Sequence, residues 1–359
     1  MNMSRLIPYL GIVAALAIGI LIAAFSGSVT VLRAPTIIIP IVTSTTISMT
    51  ATSTRATSIP KKITSPSINT APATPVPAPV PRLEDVSFEA ASALRSALVN
   101  IICYVPVRSV LHSILGSGVF VDSKGIILTN AHVAQYFLLA DRGVSCTIRS
   151  GSPAVDQYDA ALAYISPEWL HANPNVLTET SPTGTGEYDF ALLAVSKSAT
   201  SNPLPSSFPY VPLAVTPPIA STPIVIASYG AQFLKSKQIK DSLFPTIVRG
   251  SVKDVFTFGT NTIDVLALGG SAAAQEGSSG GGVIDASGAI VGTITTSTIT
   301  GATDTRSLDA ITASYIRAEY ASETGQPLEF LLAKSPATAI ADFASQIPSL
   351  ESIITANLH

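Results

Sequence analysis

Short hydrophobic runs rich in β-branched residues recur between residues 100 and 296, and Gly, Pro, Asp and Ser separate them. Each run is too short for a stable helix, and turn-forming residues follow at close intervals. This pattern predicts many short β-strands arranged as a barrel or sandwich, not alternating strand–helix units. The runs are NIICYVPV, SGVFVD, GIILTN, SCTIRS, DAALAYI, DFALLAV, TPIVIASYG, PTIVRGSV, TIDVLALG, GGVID and AIVGTITT.

Helical patterning is confined to the two ends of this β-rich region. Ser87–Leu98 (SFEAASALRSAL) is typical of a short amphipathic helix. A second helical region, Leu308–Thr324, is predicted after the last strand. Residues 326–359 are predicted to form a helical tail, so the β-rich domain occupies residues 83–325.

The amino-terminal stretch Leu6–Phe25 carries no charge and is long enough to span a bilayer as a helix. Arg5 precedes it and favours a cytoplasmic amino terminus, although Arg33 on the other side weakens that signal. We therefore expect a membrane anchor over residues 1–33. A cleaved secretory signal is the alternative, with Ala24-Phe25-Ser26 as a cleavage site. Both interpretations place the rest of the chain outside the cytoplasm.

Residues 34–82 are rich in Thr, Ser, Pro and Ala and end in ATPVPAPVPR. Such a segment cannot bury enough apolar surface to offset the entropy lost on ordering. We expect a disordered linker whose proline-rich end is extended and semi-rigid. Its simplest role is a spacer, and a glycosylated stalk is the alternative.

The charge distribution argues against a nucleic-acid partner. Of the 20 basic residues, six precede Glu84, the first acidic residue, which leaves 14 basic against 23 acidic residues and a net charge of −9 from Leu83 onward. A domain of that sign lacks the positive surface that nucleic acid requires. The sequence also contains no zinc-type Cys/His cluster, no P-loop and no dinucleotide fingerprint.

Three motifs carry side chains suited to nucleophilic catalysis. His132 lies in GSGVFVDSKGIILTNAHVAQYF, which predicts strand, turn, strand and then a tight change into a helical turn. Asp189 opens the apolar strand DFALLAV, so its carboxylate is expected to be partly buried. Asp159, in the preceding strand-like run, is the rival acid. Hydrolysis by a serine needs such a base, an acid that orients it and backbone donors for the oxyanion.

The nucleophile candidate lies in the Gly/Ser-rich run QEGSSGGGVID, residues 275–285. A linker has similar composition, but strand-like segments on both sides make this run a turn inside a barrel. Ser279 is followed by two glycines, which makes Ser278 the poorer candidate. Glycine in this turn allows the N–H groups of Gly277 and Ser279 to point together at a substrate oxygen.

Together the motifs resemble trypsin-like serine peptidases, particularly the high-temperature-requirement group. Asn130-Ala131-His132-Val133 is similar to the family's histidine segment, Asp189-Phe190-Ala191-Leu192-Leu193 to its acid segment, and residues 277–284 to its nucleophile segment. The resemblance implies two packed six-stranded antiparallel barrels, a triad of His132, Asp189 and Ser279, and an oxyanion hole from Gly277 and Ser279. No metal or organic cofactor is needed for that chemistry.

The departures from the family pattern also carry information. Ser278 replaces the Asp that pairs with a newly cut amino terminus in digestive enzymes, so activation by such cleavage is not expected. Gly282 replaces a proline, and Ser271 replaces an aspartate before the Ala-rich stretch. Too few residues follow Gln326 for a PDZ module.

The resemblance also implies a disulfide and a specificity pocket. In the family's strand order the strands of Cys103 and Cys146 are neighbours, so these two cysteines are expected to pair. The residues before the nucleophile, Ala272, Ala273 and Ala274, are expected to line the pocket for the side chain that precedes the scissile bond, with Thr293–Thr296 on the opposite wall. An alanine-lined pocket predicts a preference for small or medium apolar residues.

The sequence therefore predicts a membrane-tethered serine endopeptidase acting on extracytoplasmic polypeptides. The leading alternative is a catalytically inactive, peptide-binding relative that acts as a scaffold or sensor. A surface adhesin on a stalk is a third hypothesis, which rests on the linker alone.

Overall fold

The computed structural model describes residues 84–107, 109–179, 184–259, 261–356 and 358. The anchor expected over residues 1–33 and the linker expected over residues 34–82 lie outside these ranges. Within the described ranges, no helix combines the length and apolar character needed to cross a bilayer.

Six antiparallel strands close into a first barrel in the order β1-β2-β3-β6-β5-β4. Every residue of β3 and the first five residues of β6 are buried, and helices pack against β5 and β6. The strands are β1 (Leu98–Tyr104), β2 (Ile114–Phe120), β3 (Ile126–Thr129), β4 (Ser145–Gly151), β5 (Ala154–Ile165) and β6 (Ala191–Ser198).

Seven shorter strands form a second sheet in the order β8-β7-β11-β12-β13-β10-β9. This sheet has its own apolar cluster, separate from a larger core that fills the first barrel and also includes residues of β7, β11, β12 and β13. The strands are β7 (Pro223–Ser228), β8 (Thr246–Ser251), β9 (Asp254–Phe256), β10 (Val265–Ala267), β11 (Gly282–Ile284), β12 (Ile290–Ser297) and β13 (Leu308–Thr312).

The expectation of two closed six-stranded barrels is confirmed for the first barrel and wrong for the second, whose hydrogen-bonded order stays open. The reason lies at Val252 and Lys253, which join β8 to β9. The Val252 N–H donates to the Thr222 carbonyl at 3.0 Å, whereas the next N–H, of Lys253, donates to the Ala267 carbonyl at 2.7 Å. The chain changes partner within one residue, so β8 and β9 are separate strands at the two ends of the sheet.

A proline-rich connection, residues 199–222, joins the first barrel to the second sheet. It contains six prolines and no charged residue. Its N–H groups bind the first barrel and then the second sheet: Val211 N donates to Phe120 O at 3.0 Å, and Ala214 N donates to Ile290 O at 2.8 Å. Much of residues 199–210 is nonetheless exposed.

The helices pack around the two β-structures. The amino-terminal helix follows the expected bounds closely, and Ser87 caps it by accepting the Ala90 N–H at 3.1 Å. The α-helices are α1 (Phe88–Ala97), α2 (Ala131–Ala134), α3 (Pro167–Ala172), α4 (Ser236–Asp241), α5 (Ala313–Thr324), α6 (Leu328–Ala333), α7 (Pro336–Ala344) and α8 (Ile347–Thr355). Short 3₁₀ segments lie at Gln135–Arg142, Val176–Thr178 and Thr303–Thr305.

Two features at the carboxyl-terminal side differ from the sequence-based picture. The expected helix Leu308–Thr324 begins only at Ala313, because Leu308–Thr312 pairs with both β12 and β10 as a strand. The last helices also do not extend away as a tail. Helix α7 packs on β5 and β6, and α8 packs on the 3₁₀ segment after α2.

Candidate active site

His132 lies on α2, soon after β3; the backbone is still extended at Asn130, and the helix begins at Ala131. Its backbone N–H donates to Asp189 Oδ1 at 2.9 Å, and its ring Nδ1 lies 2.8 Å from Asp189 Oδ2. Both oxygens of one carboxylate therefore bind one histidine, which fixes the position and the orientation of the imidazole ring.

Asp189 is only 4% exposed and lies directly before β6. Besides His132, the hydroxyl of Thr295 donates to Asp189 Oδ2 at 2.6 Å, and the Asn130 side-chain amide donates to the Asp189 carbonyl at 2.8 Å. Hydrogen-bond donors to a buried, charged carboxylate compensate for the hydration that the carboxylate loses on burial. The rival acid Asp159 instead lies on β5 and pairs with Lys197 at 3.1 Å on the surface.

The loop that carries Ser279 is fastened to the first barrel through one buried residue of β2, Ser117. The Ser117 N–H donates to the Ser279 carbonyl at 2.7 Å, and its hydroxyl donates to the Gly277 carbonyl at 2.8 Å. The same hydroxyl accepts the Tyr229 N–H at 2.8 Å. Ser117 thus fixes the nucleophile loop relative to the strand that leads to His132.

Gly280 permits the closest approach between this loop and the first barrel. It has φ of +84°, and a β-carbon there would lie 2.0 Å from the Ser117 carbonyl oxygen and 2.5 Å from the Thr129 hydroxyl. Only glycine fits this contact and this backbone angle. Because Thr129 is three residues before His132, the approach brings the nucleophile loop beside the histidine helix.

The Ser279 hydroxyl is half-buried, and within the described residues it forms no hydrogen bond; the imidazole of His132 binds only Asp189. The hydroxyl is therefore free to rotate in the resting protein. Hydrogen bonds between a nucleophile and its base are often long without substrate and shorten in the substrate complex.

Two backbone donors in the loop have no acceptor. Within the described part of the chain, the N–H groups of Gly277 and Ser279 donate to no protein atom. Gly277 has φ of +90°, and a β-carbon there would lie 2.6 Å from the Tyr229 carbonyl oxygen. Between them, Ser278 is fixed: its N–H donates to Gln275 O at 3.2 Å, and its hydroxyl accepts the Ser228 hydroxyl at 3.0 Å. This arrangement leaves two adjacent donors available for an anionic oxygen.

The alanines expected to line a pocket lie in different surroundings. Ala272 is exposed, whereas Ala273 and Ala274 are fully buried and belong to the apolar cluster of the second sheet. Thr293 is 1% exposed and lies in β12 between Gly282 and Ile311 of the neighbouring strands. Ala273, Ala274 and Thr293 are therefore packed in the interior. Ala272, in the segment between β10 and β11, is the one of the four that is open to solvent.

Sequence reasoning gave Thr295 no catalytic role, although the structure places it on the acid. The register of β12 shifts between Ile294 and Thr296, and Thr295 at this irregularity reaches Asp189. A bulge in a Thr-rich strand leaves no distinctive residue pattern. Ser117 lies in the recognised GSG segment, but its bonds to a loop 160 residues away could not be seen in the sequence.

Cys103 and Cys146 form a disulfide between β1 and β4, with their Cα atoms 4.0 Å apart. The two residues are directly opposite in the strand register. His132 lies within the loop that the disulfide closes. Among the described residues, no group of three or more His, Cys, Asp or Glu could hold a metal ion.

Residues 116–292 match the family model of the trypsin-like peptidase domain, a segment that contains His132, Asp189 and Ser279. No curated protein sequence matches the chain.

Among solved structures, the chain is similar to the protease Rv3671c of M. tuberculosis. An inactive form of that protein, a serine-to-alanine mutant, is 20% identical with a TM-score of 0.41, over 69% of this chain and 97% of the other. Its active form is 19% identical with a TM-score of 0.41, over 70% and 93% of the two chains. Within the described residues beyond Thr324, the chain forms three short helices.

Proposed function

We propose that the trypsin-like peptidase domain carried by this chain is an active serine endopeptidase, with Ser279 as nucleophile, His132 as general base and Asp189 as orienting acid. The observation that carries the proposal is the double contact of one buried carboxylate with the backbone and the ring of His132, at 2.9 and 2.8 Å. A structural histidine does not need both contacts, whereas a base that must keep one orientation does.

The proposed chemistry follows from which ring nitrogen holds the proton. Asp189 Oδ2 accepts from Nδ1, so Nε2 of the neutral ring is unprotonated and can accept the Ser279 proton. Ser279 Oγ then attacks the scissile carbonyl, and His132 returns the proton to the leaving amine. Water hydrolyses the acyl-enzyme by the same route, with His132 taking its proton.

The free N–H groups of Gly277 and Ser279 support an oxyanion hole in the resting protein. In this reaction negative charge develops on the carbonyl oxygen, and backbone donors already in position stabilise it without rearrangement. The bond between Ser278 and Ser228 supports the same conclusion, because it holds the loop between the two donors without an ion pair to a new terminus.

We further propose that the peptidase domain lies outside the cytoplasm and acts on polypeptides there, tethered through Leu6–Phe25. The support is the uncharged length of that stretch together with the disulfide, which persists in oxidising compartments. If the leader is cleaved, the same domain is secreted.

Covalent labelling with a fluorophosphonate separates the endopeptidase from the inactive scaffold. We expect the full chain to be labelled and to cleave an unfolded protein substrate. The Ser279→Ala variant should lose both properties, whereas Ser287→Ala, which changes an exposed serine in the turn after β11, should keep them. A folded protein that is neither labelled nor active would favour the scaffold.

A further inference from the structure

Arg306 carries a positive charge into the interior beside the nucleophile loop. It lies between the 3₁₀ segment Thr303–Thr305 and β13 and is only 5% exposed. Its Nη1 donates to the Ala274 carbonyl at 2.7 Å and to Gln232 Oε1 at 2.6 Å. Its Nε and Nη2 both donate to the Gly301 carbonyl, at 3.1 and 2.8 Å. The side chain thus joins three segments at the base of the loop that ends in Ser279.

All of these acceptors are neutral. Within the described residues, no carboxylate lies within ion-pair distance of Arg306, in contrast to the other strongly buried arginine, Arg149, which pairs with Asp156 at 3.1 Å. Burying an ion without a counter-charge is costly. The guanidinium also lies 5.7 Å from the ring of Phe233, a weak and partial compensation.

Arg306 still has capacity to bind. A guanidinium has five N–H donors, and the four contacts above use four of them. One Nη2 hydrogen remains, together with an uncompensated charge. A carboxylate is the group that satisfies both, because it is planar, anionic and matches the geometry of the guanidinium.

The location of Arg306 determines which part of a substrate could supply that carboxylate. The scissile carbonyl must lie against Ser279 Oγ, with its oxygen on the N–H groups of Gly277 and Ser279. The residue that contributes this carbonyl therefore has its Cα beside the same loop. Ala274, whose carbonyl Arg306 contacts, lies in that loop three residues before Gly277.

On the basis of the proposed function, we infer that Arg306 is the specificity-determining residue of this peptidase and that it selects a Glu or Asp immediately before the scissile bond. The expectation of an apolar preference rested on an alanine-lined pocket. Two of those alanines are in the core, and the charged group beside them comes from the loop before β13, which the motif reasoning did not consider.

The inference is tested with the full chain and a peptide library in which only the residue before the scissile bond varies. We expect cleavage after Glu or Asp to exceed cleavage after Gln or Asn by at least ~30-fold in kcat/KM, the effect of losing one partner of a desolvated charge pair. In Arg306→Gln the ratio should fall to near one. The control Arg317→Gln removes an arginine that also bridges two carbonyls but pairs with Glu329, and it should keep the ratio.

The alternative is that the Arg306 side chain fills the pocket and excludes any substrate side chain. The wild-type protein would then show no acidic preference, and Arg306→Ala would gain cleavage after large residues. A wild-type ratio of Glu to Gln near one overturns the inference even if neither variant folds, which thermal unfolding will show. Labelling of Ser279 does not depend on this pocket, so a labelled protein without acidic preference refutes the role of Arg306 and leaves the endopeptidase intact.

Discussion

Thr295 is the residue that completes the surroundings of the buried acid. Its hydroxyl and the His132 ring both bind Asp189 Oδ2, whereas Oδ1 receives the His132 N–H. A carboxylate held from three directions cannot rotate away when the imidazole becomes charged during the reaction. In the proposed mechanism this hydroxyl acts through the orientation of His132 and not through contact with the substrate.

Replacing Thr295 with valine tests this role. The change keeps the shape of the side chain but removes a charge-assisted hydrogen bond, which is worth about 1.5–3 kcal/mol. If most of this is lost in the transition state, kcat should fall on the order of 10–100-fold with little change in KM. Steady-state kinetics on a peptide substrate provide the measurement.

Thr293→Val is the matched control, since Thr293 is buried in the same strand but has no hydrogen bond to the acid. It should leave kcat nearly unchanged. Equal losses in the two variants would mean that Thr295 supports only the packing of β12.

At the scale of single residues, the sequence indicated those side chains that have uncommon chemistry and lie in distinctive motifs. His132, Asp189 and Ser279 each lie in a motif of several residues, and the structure brings the first two into contact. Thr295 and Arg306 lie in TITTSTIT and TDTRSL, which read as an ordinary strand and an ordinary polar loop. Thr295 reaches Asp189 at an irregularity in β12, and Arg306 reaches the Ala274 carbonyl from the segment before β13. Neither contact follows from local residue patterns.

At the scale of elements, the loop that carries Ser279 differs most from that of a zymogen, in which a newly cut amino terminus pairs with the loop. Ser278 is buried and already bound to Ser228 of β7. The first described residues lie elsewhere, since the Val86 carbonyl accepts a hydrogen bond from Arg249 of β8 at 2.8 Å. The loop is thus held by a neighbouring strand and not by the start of the domain.

We therefore expect the peptidase domain to be active without a newly cut amino terminus. The measurement compares kcat/KM of a domain that begins at Arg82 with that of the same domain carrying additional residues in front. The two values should agree within about twofold. A large gain that appears only when a new terminus is exposed would contradict the role given to Ser278 and Ser228.

Helix α7 is a second element whose role is structural, although its sequence suggested a tail. Phe343 is 3% exposed, and its ring lies 6.1 Å from that of Tyr164 of β5. Ser335 caps the helix by accepting the Thr338 N–H at 3.1 Å. The helix covers one side of the first barrel and closes its core.

Phe343→Ala should lower the free energy of unfolding by about 3–5 kcal/mol, because it removes a large buried side chain and leaves a cavity. Phe330→Ala on the preceding helix changes a side chain that is 58% exposed and should cost less than ~0.5 kcal/mol. The difference is read from the urea midpoint of each variant. If Phe343→Ala unfolds like the wild type, the last helices are peripheral.

The sequence pattern was sufficient to predict some of the strands and helices and not others. The strands of the first barrel were visible because they combine β-branched residues with clear turns. Leu308–Thr312 was predicted to be part of a helix. Five residues are too few to distinguish the two-residue hydrophobic period of a strand from the 3.6-residue period of a helix. The strand character of this segment comes from pairing with β10 and β12, which is a tertiary effect.

For the molecule as a whole, the disulfide closes the first barrel across two strands that are far apart in sequence. Cys103 and Cys146 are 43 residues apart, and the closed loop contains β2, β3 and the histidine helix. Constraining a loop of that length in the unfolded chain stabilises the folded state by ~4 kcal/mol in the chain-entropy account.

Reduction should therefore lower the unfolding temperature of the wild-type domain by roughly 8–15 °C, given the usual dependence for domains of this size. The Cys103→Ser/Cys146→Ser double variant should unfold at the lower temperature with and without reductant. Calorimetry on both proteins decides the point, and a reductant-insensitive wild type would count against the disulfide.

The overall architecture was predictable as a class, but the shape of its second half was not. The alternation of hydrophobic and polar residues and the spacing of turns indicate a β-barrel or sandwich. They do not distinguish an open sheet from a closed one. Whether the order closes depends on where a strand changes partner, here at Val252 and Lys253. No particular type of residue marks that change of partner, so the sequence does not reveal it.

The specificity proposed for Arg306 has a consequence for the connection between the first barrel and the second sheet. A peptidase at high local concentration meets its own exposed segments more often than any other substrate. Residues 199–222 are exposed over much of their length, yet they contain no Asp or Glu, and six prolines interrupt them. An enzyme that requires an acidic residue before the cut would find no site there. The composition of this segment would then protect the protein from autolysis in the connection between the first barrel, which carries His132, and the second sheet, which carries Ser279.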